Sequence, residues 1–144
     1  MKKVKGACVV WTILAVLLFT AGQVLAADAK LIRIQPEGTD KVIGFYIDPP
    51  TVYIKKNDIV VWMSGVPGIE IQIIFNEGKT CKDVTANPNV KVPNFYMDAK
   101  NCFVTSFLPY FATTALQFSE TGTYEYQVVN EDGKMKAQGK IIVK

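Results

Sequence analysis

Short runs of β-branched, aromatic and other apolar residues recur along this chain, and turn-forming residues close each of them. The run 31–34 ends at Pro36-Glu37-Gly38, the run 42–47 at Asp48-Pro49-Pro50, and Thr51-Val52-Tyr53-Ile54 at Lys55-Lys56-Asn57-Asp58. Ile59-Val60-Val61-Trp62-Met63 is apolar without a break, as expected of a central strand. Residues 69–75 alternate around Glu70 and Gln72, and 123–129 alternate with Tyr124, Tyr126 and Val128 on one side. Residues 102–107, 113–118 and 139–143 complete the set. No stretch of the residues after 26 carries a helical period of useful length. Many short strands separated by turn signals predict an all-β sandwich or barrel. Trp62, Phe75, Phe118, Tyr124 and Ile141 are its expected core. The pattern lapses from Lys79 to Asn101, where Pro88 and Pro93 stand in a polar stretch.

The first 26 residues follow a different rule. Lys2, Lys3 and Lys5 precede an apolar run from Ala7 to Phe19, and Val24-Leu25-Ala26 precedes Ala27-Asp28. A basic start, a short apolar core and small residues three and one before a cut form a signal peptide, with cleavage expected after Ala26. Residues 27–144 are then one exported domain, periplasmic or extracellular, that meets the membrane only through its leader. An uncleaved anchor needs about 20 apolar residues, a length reached here only by counting Thr20, Gly22 and Gln23. Cys8 stands at the start of the apolar run, whereas a lipidated cysteine follows it. The whole chain has 16 basic and 13 acidic residues, but three of the basic ones lie in the leader. The remainder is balanced and has no basic block to suggest nucleic acid.

Two cysteines remain after the leader, Cys81 and Cys102. In an oxidising compartment such a pair is most simply a disulfide, and closing a loop of this length is worth roughly 3 kcal/mol. It would hold both ends of the patternless stretch. The alternative is a redox pair or a soft copper site that recruits Met63, Met97 or Met135. The chain has no histidine. That removes a Ser-His-Asp triad, histidine-ligated zinc or haem, and any copper centre that uses imidazole. Ser64, Ser106 and Ser119 stand in no nucleophile motif, and no phosphate-binding glycine loop is present. Glu131-Asp132 beside Gly133 reads as a turn. No catalytic constellation emerges, and the expected role is not enzymatic.

The ordered set of features is similar to that of the cupredoxins, the family of plastocyanin and azurin. It comprises the Lys55-Lys56-Asn57-Asp58 turn, Ile59-Val60-Val61-Trp62, a Pro-Gly loop, an apolar strand ending at Phe75, Phe118, Gly122-Thr123-Tyr124-Glu125-Tyr126 and a closing Gly139-Lys140-Ile141-Ile142-Val143. The resemblance spans roughly 42–143 and implies a two-sheet Greek-key sandwich. Cupredoxins hold copper at one pole with two histidines, a cysteine and usually a methionine. By the resemblance those positions fall at Ile71, Val128, Glu131 and Ala137, with Met135 near the last. None matches, so neither a type 1 copper site nor any other cofactor is expected.

Two readings of different class follow. One is a copper-free module that binds another exported or membrane protein, or a ligand. The other is an electron-transfer or copper-handling protein with non-standard Cys, Met or carboxylate ligands. By the same resemblance, Val66, Pro67, Leu108, Pro109, Tyr110 and Phe111 form a candidate docking face at the pole where copper would sit.

Overall fold

The computed structural model of the chain describes residues 27–38, 41–75, 85–86, 95–97 and 103–144. The leader with its cleavage point, Cys81 and Cys102 lie outside the described residues. Two sheets face each other. The first runs in the order β2 (Gly44–Asp48), β1 (Ala29–Glu37), β4 (Ile59–Ser64), β9 (Thr113–Phe118), β6 (Thr85–Ala86). The second runs β3 (Thr51–Ile54), β11 (Lys136–Val143), β10 (Gly122–Asn130), β5 (Ile71–Phe75), β8 (Phe103–Thr105), β7 (Phe95–Met97). β1 lies parallel to β4 and β3 parallel to β11, while the other pairs are antiparallel. β4 pairs with β9 and β5 with β10, and the β4–β5 and β9–β10 connections both cross between the sheets. This is the two-sheet Greek-key sandwich that the cupredoxin resemblance implies.

Alternation decides what each strand buries. Val60, Trp62 and Ser64 of β4 turn inward, as do Ile71, Ile73 and Phe75 of β5. Tyr124, Tyr126 and Val128 of β10 also face in, as expected. All five predicted core residues are buried. The Trp62 indole is the hub. It meets Phe75 at 5.9 Å, Phe95 at 5.6 Å and Tyr126 at 5.6 Å between ring centroids, each edge-to-face, so one side chain of the first sheet touches three strands of the second.

Three boundaries differ from the sequence reading. β1 continues through Pro36 to Glu37, where the sequence suggests a stop. Pairing of β1 with β4 ends at Ile34 opposite Ser64. Pro36 therefore sits where β1 has a neighbour on one side only, and there a missing N–H is tolerated. β11 begins at Lys136 rather than Gly139, because β10 offers a continuous ladder back to Val129. The patternless stretch contributes β6 and β7, which pair with β9 and β8. Edge pairing organises these short pieces without any alternation of their own.

The end of the sandwich at the start of β4 is closed by one buried carboxylate. Asp58 accepts the backbone N–H of Lys55 at 2.8 Å and of Asp28 at 3.1 Å. Asn57 holds the turn with φ 73°. Tyr124 donates its hydroxyl to the Glu120 carbonyl at 2.9 Å, which fixes the β9–β10 turn beside it. We call this end the lower pole.

Gly139 stands opposite Tyr126 in the β10–β11 register, and the phenol ring lies directly over its Cα. Any Cβ there would overlap Tyr126 Cζ and Oη. Burial pushes the Tyr126 hydroxyl up to about 12, with the facing Trp62 indole opposing weakly. The two polar atoms face one another without reaching hydrogen-bond geometry. Gly139→Ala is expected to cost about 1–3 kcal/mol by overpacking, and much less alongside Tyr126→Leu. A denaturant double-mutant cycle measures this, and equal costs in the two backgrounds would contradict the contact.

Candidate functional site

The opposite, upper pole gathers three connections: residues 65–70 between β4 and β5, 106–112 between β8 and β9, and 131–135 between β10 and β11. Backbone bonds fix the first two against each other. Ile71 and Leu108 exchange both of theirs, at 3.1 and 2.7 Å. Ser64 donates to the Ala112 carbonyl at 2.9 Å and accepts from the Phe111 N–H at 2.8 Å. A turn from Pro109 to Ala112 is closed at 3.0 Å. Loops are usually the loosest part of a sandwich, but this one is stitched to strand ends on both sides.

The stitching holds Phe111 in the left-handed region, at φ 64°. For a large aromatic residue that conformation is uncommon and costs about 1–2 kcal/mol. The bond to Ser64 keeps it there. The consequence is an outward-facing pair, with Phe111 65% exposed, Tyr110 45% exposed, and the two rings tilted by 31° with their centroids 3.9 Å apart. Phe107 is exposed nearby, as are Pro67 and Pro109.

The face expected from the sequence needs correction at two residues. Val66 and Leu108 are completely buried and belong to the core. Val66 turns inward just beyond the end of β4, and Leu108 is pulled in by its double bridge to Ile71. Four of the six expected residues therefore reach solvent: Pro67, Pro109, Tyr110 and Phe111. Phe107, 38% exposed, also stays outside the core.

The positions matched to copper ligands lie beside this face. Val128 stands opposite Ala137 across β10–β11 and opposite Ile73 across β10–β5, which makes Ile71 its diagonal neighbour on the same inner face. Ile71 and Val128 are fully buried, and Ala137 packs against the core with Met135. Glu131 lies apart from them, exposed in the β10–β11 turn. Three of the four positions carry no donor atom, and the residues present do not fit a copper ion. Among the described residues, no three His, Cys, Asp or Glu side chains come together in a metal-binding group. Met63 alternates with the inward-facing Trp62 and Ser64, on the other face of β4 from the core where Met135 packs. The Met97 side chain lies outside the described residues.

A shallow cleft of about 640 Å³ adjoins the pole between Gly68-Ile69-Glu70 and Asn130-Glu131-Asp132. Its character is acidic. Asp132 is held below the ordinary carboxylate range by the Lys134 backbone N–H, and then by the Lys134 ammonium, which pairs with it at 3.1 Å. Glu70 and Glu131 form no ion pair within 4 Å among the described residues. The sequence shows the apolar content of the 108–111 loop but not its strained backbone, because a positive φ at phenylalanine has no composition signal.

No protein-family model and no curated protein matches the chain. Similar solved structures are amicyanins. The protein from Paracoccus versutus is 20% identical over 82% of this chain and 83% of its own, with a TM-score of 0.48. A Cu(I) form of an amicyanin mutant is 17% identical over 83% of this chain and 86% of its own, with a TM-score of 0.49. No helix of the described residues is long and apolar enough to cross a membrane.

The strain at Phe111 has a measurable sign. In extended structure alanine is favoured over glycine, but here Phe111→Gly is expected to be more stable than Phe111→Ala by about 1 kcal/mol, since only glycine adopts positive φ freely. Thermal melts of the two variants measure it. An alanine variant as stable as the glycine variant would show that the backbone is not held in the left-handed region.

Proposed function

We propose that this chain is an exported, non-catalytic recognition module. It engages another exported or membrane protein through the aromatic platform of the upper pole. The observation that carries this reading is the Tyr110–Phe111 pair, two large rings stacked in solvent on a backbone held in an unfavourable conformation. Apolar groups exposed at an energetic cost mark interaction surfaces more strongly than scattered exposed leucines do. Aromatic side chains that are already rigid lose little entropy on binding and commonly anchor interfaces.

The surroundings define the partner. Pro67, Pro109 and Phe107 extend the apolar area, and Glu70, Glu131 and Asp132 give it an acidic flank. A complementary protein surface carries an apolar recess bordered by lysine or arginine. Nucleic acid is a poor match for this flank, since its phosphates would meet carboxylates. Export rests on the leader, whose basic, apolar and small-residue zones follow in the required order. The apolar packing of Ile71, Val128 and Ala137 supports a module without type 1 copper, because it replaces donor atoms with a solid base for the platform.

The test replaces both rings, as Tyr110→Ser with Phe111→Ser, in the protein purified from the exporting cell. The melting temperature is expected to change by only a few degrees, because both residues lie outside the buried core. Capture of partner proteins from the same compartment, read by cross-linking and mass spectrometry, is expected to fall by at least about tenfold, as for loss of anchor residues. Collapse of the fold would make these residues structural. An unchanged set of captured proteins would place the docking face elsewhere.

A further inference from the structure

The lower pole carries a cleft of about 630 Å³, the size of a small-ligand site. Lys30, Lys55, Lys56 and Lys144 line it together with Tyr53, although they come from β1, the β3–β4 turn and the residue after β11. Residues 27–144 have as many acidic as basic side chains, so this is a local concentration of charge rather than the overspill of a basic protein.

The two side-chain carboxylates in the cleft do not neutralise its four lysines. Asp58 is buried and already accepts the backbone N–H groups of Lys55 and Asp28. Asp28 is paired with Lys30 at 3.1 Å, and Lys30, with Lys55 further off, holds its carboxyl below the ordinary range. Lys55, Lys56 and Lys144 form no ion pair within 4 Å among the described residues. Lys144 instead lies over the Tyr53 ring, with its nitrogen 5.1 Å from the centroid, which fixes an ammonium at the rim without cancelling its charge. Lysines spread over a solvated surface would diverge, whereas these surround a concavity.

We infer that this lysine-lined cleft is a binding site for clustered phosphate groups, either on a soluble polyphosphate or presented side by side by the headgroups of an anionic lipid surface. Ammonium groups recognise phosphate as point charges and need no planar fork. Several in one recess favour a multiply charged anion over a single carboxylate. The site lies at the opposite end of the sandwich from the aromatic platform, so both can be occupied together.

The experiment uses the exported protein at low ionic strength with two probes. One is inorganic tripolyphosphate, followed by calorimetry. The other is phosphatidylcholine vesicles with and without phosphatidylglycerol, followed by co-sedimentation. Lys56→Glu with Lys144→Glu is compared with Lys134→Glu with Lys136→Glu, which changes charge equally at the other pole. Binding to at least one probe is expected, weakening with added salt. The lower-pole variant should weaken it by about 10-fold or more, and the upper-pole variant by less than about twofold. Binding to tripolyphosphate identifies a soluble ligand. Binding to phosphatidylglycerol vesicles alone identifies a headgroup. All four positions are on the surface, and matching circular-dichroism melts check that each variant is folded. Failure to bind either probe, or equal losses in the two variants, would overturn the inference.

Discussion

The Trp62 indole, wedged between the two sheets, is the contact on which the rest of the structure depends. It projects from the central strand of one sheet and meets β5, β7 and β10 of the other edge-on. Each such aromatic pair is worth about 0.5–1.5 kcal/mol beyond simple burial. Phe75 passes the contact on to Phe118, and Phe118 to Tyr124 at the lower pole. Gly139 completes the arrangement by leaving room for Tyr126 beside the indole. With the sheets held in this way, both poles become rigid rims from which short loops project.

Most of the framework was legible because a two-faced strand leaves a period in the sequence. Phe75, Tyr124 and Tyr126 follow the alternation of their runs, whereas Val60, Trp62 and Ile141 lie in unbroken apolar runs whose other side is half-buried in the structure. What the pattern could not show depends on partners distant in sequence. β6 and β7 exist because β9 and β8 offer open edges. Val66 and Leu108 sit in loops by sequence, yet they are core by geometry. One extends the inward face of β4, and the other is drawn in by Ile71. The Phe111 conformation is imposed by a bond to Ser64, 47 residues away in sequence, so nothing local announces it. Lys30, Lys55, Lys56 and Lys144 read separately as ordinary surface charges until the topology brings them around one cleft.

The two poles differ in chemistry. At the lower pole the turn is locked by a buried carboxylate and surrounded by ammonium groups. At the upper pole an apolar packing of Ile71, Val128, Ala137, Val66 and Leu108 supports two stacked rings with an acidic cleft alongside. In the cupredoxin resemblance the upper pole is where donor atoms would converge on copper. Here the same strand positions converge, but they carry methyl groups. Packing at that place is a sufficient use of the scaffold, since a firm apolar base lets a short loop keep a strained, outward conformation.

The central claim is that the upper pole is packed hydrocarbon and holds no type 1 copper. Its most direct test is to titrate the purified, oxidised protein with Cu(II), recording the visible spectrum and then the bound metal after desalting. The account predicts no intense charge-transfer band and no stoichiometric copper, because a blue site needs imidazole and thiolate together. A blue protein that retains one copper per chain would contradict it.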